Sequence, residues 1–403
     1  MTVLTTRIGF EIELLAPPGA DRRTLADAVA AEHGGRVGRV FHTDSEPSLV
    51  PGMGHFWHLT PGLTVHDGVG RALAALVDDI TIVADVEREL TDAGCGAPGH
   101  RPCAVCRQRT DGHWYRVLSD DIRLLRLVAE RTDPDVPFDR VLDDVAVLFG
   151  STVETIGAVR RLRDRSGASI AMASPLAPGR GRPCEIVTPP LRQDHEAALE
   201  ALLRPARALG FRVPAEAAVH LHVDAAPFRS VSAFSNLVRL FGYWREALRT
   251  VLDTNPACTR LRPLPPELVA LVEDTAGMGA GARPGGAGDP DAWHRLQAAA
   301  SGTGLTKYFD VNLTALLTDD PVRDTVEVRI LPGALHGAEI VRRAAVVEAL
   351  LARCTDPTPI PAPTTSDPVE AVRELSDLAG SARERSDLAG SALGTEQRSH
   401  ATS

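Results

Sequence analysis

Five short segments of this chain alternate charged and apolar residues with a period of two, and that alternation restricts its fold more than any other feature. Side chains two apart on a strand share a face. In IGFEIEL, Glu11 and Glu13 therefore lie together, opposite Phe10, Ile12 and Leu14. AVHLHVD pairs His220 with His222, and TVEVRIL pairs Glu327 with Arg329 against Val326, Val328 and Ile330. In KYFDVNL, Tyr308, Asp310 and Asn312 oppose Phe309, Val311 and Leu313, with Lys307 at the strand entrance. Glu185 opens CEIVTPPL, a strand that its double proline ends.

The patterning predicts strands at 7–15, 36–41, 184–188, 218–224, 307–313 and 325–331. It predicts helices at 21–32, 68–92, 119–131, 193–209, 231–253 and 337–353, an α+β chain. One domain spans 1–354. Beyond it, residues 355–403 open with the Pro/Thr-rich linker TDPTPIPAPTTSDP and carry SDLAGSA twice, at 376–382 and 386–392. Two such copies cannot bury a core, so this tail reads as disordered or weakly helical. Two stretches look inserted: residues 95–114, rich in Cys and His, and the Gly-rich loop 276–290. The loop lacks the GxxxxGK[ST] pattern of a P-loop and reads as a flexible connection or a lid.

Asp plus Glu exceed Lys plus Arg, 53 against 43, for a formal charge of −10, which excludes a broad nucleic-acid-binding face. No stretch reaches the roughly 18 uncharged apolar residues of a membrane span. The N-terminus enters a strand pattern at once, leaving no room for a signal peptide, and six cysteines in 403 residues make no disulfide scaffold. These features predict a cytoplasmic protein. All but one of the 43 basic residues are Arg. The exception, Lys307, is either a chance survivor of coding bias or an ammonium that a guanidinium cannot replace.

The alternating charges have two explanations. A sheet with one wet face solvates such groups with no further role. Glu-x-Glu, His-x-His and Glu-x-Arg are, however, groups that ligate cations or hold phosphates. Adjacent carboxylates repel one another, and a bound cation offsets that cost. Glu11, Glu13, Glu185 and Glu327 with one or two imidazoles suit Mg2+ or Mn2+ better than Zn2+, which favours His and Cys in a tetrahedron. With Arg329, Lys307 and Asn312 added, the set is a phosphoryl-transfer toolkit.

GFEIE, EIVTPPL, HLHVD, KYFDVNL and TVEVRILPG, in this order, resemble the amidoligase family of the carboxylate–amine ligase superfamily typified by glutamine synthetase. The resemblance implies an antiparallel sheet like that of the glutamine synthetase catalytic domain. Its concave face would hold ATP and two or three Mg2+ ions, with helices on the other side. It implies Glu11, Glu13, Glu185 and Glu327 as metal ligands, His220 or His222 as a metal- or ATP-contacting histidine, and Arg329 as a phosphate-binding arginine. Lys307 and Asn312 match positions near the phosphates, and HTDSEPSL at 42–49 matches an Asp-x-Ser segment through Asp44 and Ser45. The implied reaction is ATP-dependent amide formation through an acyl phosphate, from a small-molecule or peptide carboxylate and an amine. Two other functions compete with it. One is a metal-dependent hydrolase using the same His and Glu residues, and the other is a non-catalytic binding module.

Cys95, His100, Cys103 and Cys106 follow C-x4-H-x2-C-x2-C, with His113 beyond. This spacing suits one structural Zn2+, although a zinc ribbon carries a second CxxC; the alternative is reduced thiols in a surface loop. Cys184, Cys258 and Cys354 are expected in the core. His55, His58 and His66 are expected to pack beside Trp57.

Overall fold

The computed structural model describes residues 3–47, 55–95, 97–101, 103, 114–177, 179–259, 261–279 and 291–380. These form two compact units, one of residues 11–189 and 201–216, the other of 1–10, 190–200 and 217–403.

The first unit is built on a large antiparallel sheet. Its strands are β1 (Ile8–Leu15), β2 (Arg36–Pro47), β3 (His55–His66), β4 (Ala72–Val77), β5 (Tyr115–Ser119), β6 (Glu154–Ile156), β7 (Val159–Arg163), β8 (Ser169–Pro175) and β9 (Pro183–Val187). Their order is β1-β9-β4-β3-β5-β8-β7-β6, and β2 pairs with β3. The strand β3 organises the sheet: β2 lines it from Arg36↔His66 to Pro47↔His55, while it also pairs with β4 near Leu63 and β5 near Leu59. Gly35 lets the chain enter β2 against this hairpin, because a Cβ there would stand 1.8 Å from the His66 carbonyl oxygen.

Helices α1 (Arg22–Glu32), α2 (Ala84–Asp92), α3 (Ile122–Arg131) and α4 (Asp143–Leu148) complete the unit. Asp21 caps α1 in a reciprocal box with Thr24. Leu124, Leu125, Val128, Val141 and Val145 bury an apolar face with Leu59, Tyr115 and Val117. Beside this core sits a charged one. Arg22 is fully buried, 3.1 Å from Asp78, and stacks 4.2 Å from the Trp114 ring centre. Arg180 and Arg116 reach the same carboxylate at 3.2 and 3.3 Å. Burial alone would push the Asp78 carboxyl up, but Arg22, Arg180 and Arg116 together hold it below the usual range.

The second unit contains a three-stranded antiparallel set in the order β11-β12-β10, formed by β10 (Ala218–Asp224), β11 (Val311–Asn312) and β12 (Thr325–Pro332). The helix α5 (His195–Ala208) begins in this unit, and α6 (Val231–Tyr243), α7 (Arg245–Val251), α8 (Pro266–Gly279), α9 (Ala292–Ser301) and α10 (Gly337–Thr355) lie wholly in it. Ser230 caps α6, and nine consecutive residues from Ala233 to Phe241 are buried. The Pro/Thr-rich segment after α10 has no helix or strand, yet it is tied down. The Asn236 side chain donates to the carbonyls of Cys354, Asp356 and Thr358 and accepts from the Ile360 amide, and Trp244 Nε1 donates to the Pro361 carbonyl. Residues 368–380 are helical, and the remainder of the repeat-bearing tail lies outside the described residues.

Several elements differ from expectation. Residues 68–92 do not form one helix: they form β4, a turn through Asp78 and Asp79, and α2. The helix expected at 231–253 is split at Trp244, where φ is −98° and ψ 14°. The strand expected at 307–313 shrinks to Val311–Asn312, because the buried Asp310 turns to Arg245 and Arg249 of α7 at 2.6 and 3.1 Å. The loop at 276–290 begins inside the last turn of α8, and residues 280–290 lie outside the described residues. Cys184, Cys258 and Cys354 are buried as expected, and burial pushes the Cys184 thiol up to about 12.

Asp78→Asn leaves the fully buried Arg22 guanidinium, and the half-buried ones of Arg116 and Arg180, without this counter-charge. It is expected to cost about 3–5 kcal/mol of stability, measured by urea unfolding.

Candidate active site

Each unit gathers its own group of the sequence-selected residues. In the first, β1 pairs with β9 so that Glu13 stands directly opposite Glu185 and Glu11 opposite Val187. The period of two then puts Glu11, Glu13 and Glu185 on one face, where like charges across strands are unfavourable. This is no solvated surface, since Glu11 and Glu13 expose only 7% and 5% of their area and all of β1 is buried. Glu185 is half-buried. Burial pushes its carboxyl well above the usual range, and the charges of Glu11, Asp79 and Glu13, with a hydrogen bond to Glu11, push it further the same way.

Asp79 is the member that sequence reasoning missed. It is buried at the turn after β4, where its carboxylate accepts from the Thr81 amide and hydroxyl at 2.8 and 2.5 Å. The pairing of β4 with β9, Val77 opposite Glu185, carries the turn to the acidic face. The Asp78-Asp79 doublet at a strand exit was the available signal, hidden by the expectation of a helix there. Its two acids divide the work: Asp78 binds the buried Arg22 with Arg116 and Arg180, and Asp79 adds charge beside Glu185.

In the second unit, Glu327 is the hub. Asn312, Glu327 and His222 form one row across β11, β12 and β10. Asn312 Nδ2 donates to Glu327 Oε2 at 2.8 Å, and Arg329 pairs with the other oxygen. His220 Nδ1 is 3.4 Å from Glu327 Oε1 and His222 Nε2 is 4.0 Å from it. The His222 ring is oriented by a 3.0 Å hydrogen bond between Nδ1 and Thr325 Oγ1. A register shift between Val219 and Leu221 lets two imidazoles crowd one carboxylate, as a bulge re-aims side chains.

Asp310 supports this row. Its carboxylate is held by α7, its carbonyl accepts from the Arg329 amide at 3.0 Å, and Asn312 follows two residues later. Burial pushes its carboxyl up against the opposing pull of Arg245 and Arg249. Lys307 lies on the bend before β11, its Nζ 5.4 Å from the Tyr308 ring centre.

The other candidates are placed as follows. Asp44 and Ser45 are on β2, opposite His58 and Trp57, and Asp44 accepts from the Ser45 amide. His58 is buried on β3. Cys95, His100 and Cys103 are described, whereas Cys106 and His113 lie outside the described residues.

The carboxylates fit a divalent cation by chemistry. Crowded carboxylates are relieved by a proton or by a cation, and oxygen donors select hard ions. The sign of the pH effect follows from Glu185. Its folded-state carboxyl is raised, so the folded chain binds the proton more tightly than the unfolded chain, and stability is lost as pH climbs above the ordinary carboxylate value. Without divalent ions, the melting temperature is expected to fall from about pH 5 towards pH 8. Mg2+ should restore it, and Glu185→Gln should flatten the decline. A melting-temperature series across pH, with and without Mg2+, checks all three.

Among the described residues, no helix is long and apolar enough to cross a membrane. Neither the curated proteins nor the solved structures compared with the chain gave a match. The family described as "Putative amidoligase enzyme" matches residues 4–351, which contain every strand discussed above. The chain belongs to this amidoligase family, whose activity is the formation of amide bonds.

Proposed function

We propose that the protein is an ATP- and Mg2+-dependent carboxylate–amine ligase of the cytoplasm, acting on small-molecule or peptide substrates. In this reading the antiparallel sheet is of the glutamine synthetase catalytic kind. Glu11, Glu13, Glu185, His222 and Glu327 hold the metal ions, and Asp79 adds to their negative charge. His220, Asn312, Lys307 and Arg329 contact the nucleotide. The observation that carries the reading is the burial of Glu11 and Glu13 beside Glu185 in a chain of the amidoligase family. Acids packed this way are costly unless a cation joins them.

The chemistry explains the residue types. A carboxylate does not condense with an amine near neutral pH, because its leaving group is poor and its charge repels nucleophiles. ATP with Mg2+, when bound, would supply the γ-phosphoryl group that activates the carboxylate as an acyl phosphate with ADP as the leaving group, and attack by the amine would then release phosphate. Arg329 is suited to neutralise charge on the transferring phosphoryl group, since its guanidinium presents several donors on one plane. The Glu327 carboxylate orients that guanidinium. Asn312 anchors Glu327 from the other side. Lys307 adds a compact positive charge on a mobile stem.

The test is phosphate release from ATP with Mg2+ across a panel of amino acids and peptides, together with mass detection of the amide. An active pair is expected to need both ATP and the amine, and Glu11→Gln is expected to lower turnover on the order of 100-fold. Undiminished phosphate release by Glu11→Gln would remove the metal assignment. Turnover of an amide without ATP would favour a hydrolase instead. With the same pair, Arg329→Lys keeps the charge but loses the planar fork and is expected to lower turnover by about 10-fold or more.

A further inference from the structure

The connection between α2 and β5 holds a second cluster of metal-binding side chains, of a different chemical kind from the acids of β1 and β9. We propose that Cys95, His100 and Cys103 bind one zinc ion that fixes this connection.

The ligand atoms of these three residues all lie within 4.8 Å of one another, and all three side chains are half-buried. The two sulfurs are 3.6 Å apart. A disulfide would bring them to about 2.05 Å. Two thiolates on one tetrahedral zinc, each about 2.3 Å from the metal, stand about 3.8 Å apart. The observed separation matches the edge of that tetrahedron, and a disulfide would give His100 no part.

The backbone is shaped to present these groups. Gly94, with φ +67°, ends α2: its amide donates to the Thr91 carbonyl at 2.9 Å and the Cys95 amide to the Leu90 carbonyl at 2.8 Å. This is a Schellman cap, which turns the chain sharply and aims Cys95 away from the helix axis. A second turn follows, with the Ala97 amide on the Gly94 carbonyl and the His100 amide on the Ala97 carbonyl. Gly99 has φ +82°, a conformation that a side chain would oppose. These two left-handed glycines stand beside Cys95 and His100, which lie with Cys103 in one cluster. Cys106 lies outside the described residues.

Thiolate and imidazole donors select zinc, whereas carboxylates select magnesium, so the two sites do not compete. The zinc site would hold the C-terminal end of α2. That helix is linked to the exit of β1: Glu89 pairs with Arg182 at 2.7 Å, Arg182 Nε donates to the Ala16 carbonyl at 2.9 Å, and Leu15 packs with Ile82, Val86 and Leu90. The ion's expected role is structural.

The full chain, purified without a metal-affinity step and dialysed into Mg2+ buffer, is the material for the test. Elemental analysis is expected to find about one zinc per chain. Cys95→Ser and Cys103→Ser are each expected to reduce this at least about tenfold, while Glu185→Gln keeps its zinc. Should the cysteine variants fail to fold, the unaltered chain loaded with Co2+ is expected to show a thiolate-to-cobalt charge-transfer band. Wild-type protein without zinc, a Cys95–Cys103 disulfide found by mass spectrometry, zinc retained by folded cysteine variants, or absence of the cobalt band would each overturn the proposal.

Discussion

The repulsion among buried acids on β1 and β9 is the constraint around which the first unit is arranged. Glu13 and Glu185 face each other across two strands, Glu11 is hydrogen-bonded to Glu185, and Asp79 arrives from the turn after β4. Every one of these influences raises the Glu185 carboxyl. Like charges about 4 Å apart near a protein surface repel by about 4 kcal/mol, a cost that a proton on one carboxyl relieves. The fold holds the acids in place by fixing their backbones. One face of β1 is anchored by Phe10, Ile12 and Leu14, and the turn that carries Asp79 is anchored by Asp78 among Arg22, Arg116 and Arg180.

The second unit solves a different problem, which is to hold cationic and neutral donors around one acid. Glu327 receives Asn312, Arg329 and two histidines, and each partner is itself positioned. Thr325 orients His222, and Asp310 joins α7 to the segment that carries Asn312. A buried carboxylate such as Asp310 is tolerable because two arginines stand against it. The docking of the Pro/Thr-rich segment on Asn236 follows the same economy, since one buried amide satisfies four backbone groups.

Much of the candidate site was legible because strand alternation is a local property. Glu-x-Glu, His-x-His and Glu-x-Arg needed only the period of two to be placed on common faces, and β1, β10 and β12 lie where that period put them. Asp79 was not legible, because ALAALV read equally well as part of a helix until its pairing with β3 and β9 made it a strand. The hairpin strands β6, β7 and β8 were missed for a related reason. β6 is only three residues long, β7 is mostly Arg, and β8 alternates small and apolar residues without charge, so no charged–apolar alternation marks them as strands.

The sequence by itself determined the chemical inventory: which acids, imidazoles and cations exist, which pairs share a face, and which family the ordered motifs belong to. These follow from local spacing and from motif order along the chain. Only the tertiary structure decided that Glu11 and Glu13 are buried, that Asp79 joins them, that Asp310 serves as an anchor, and that Cys95, His100 and Cys103 converge. Those outcomes depend on strand register and on turns between residues distant in sequence, and burial, which sets the cost of a charge, exists only after the chain has packed.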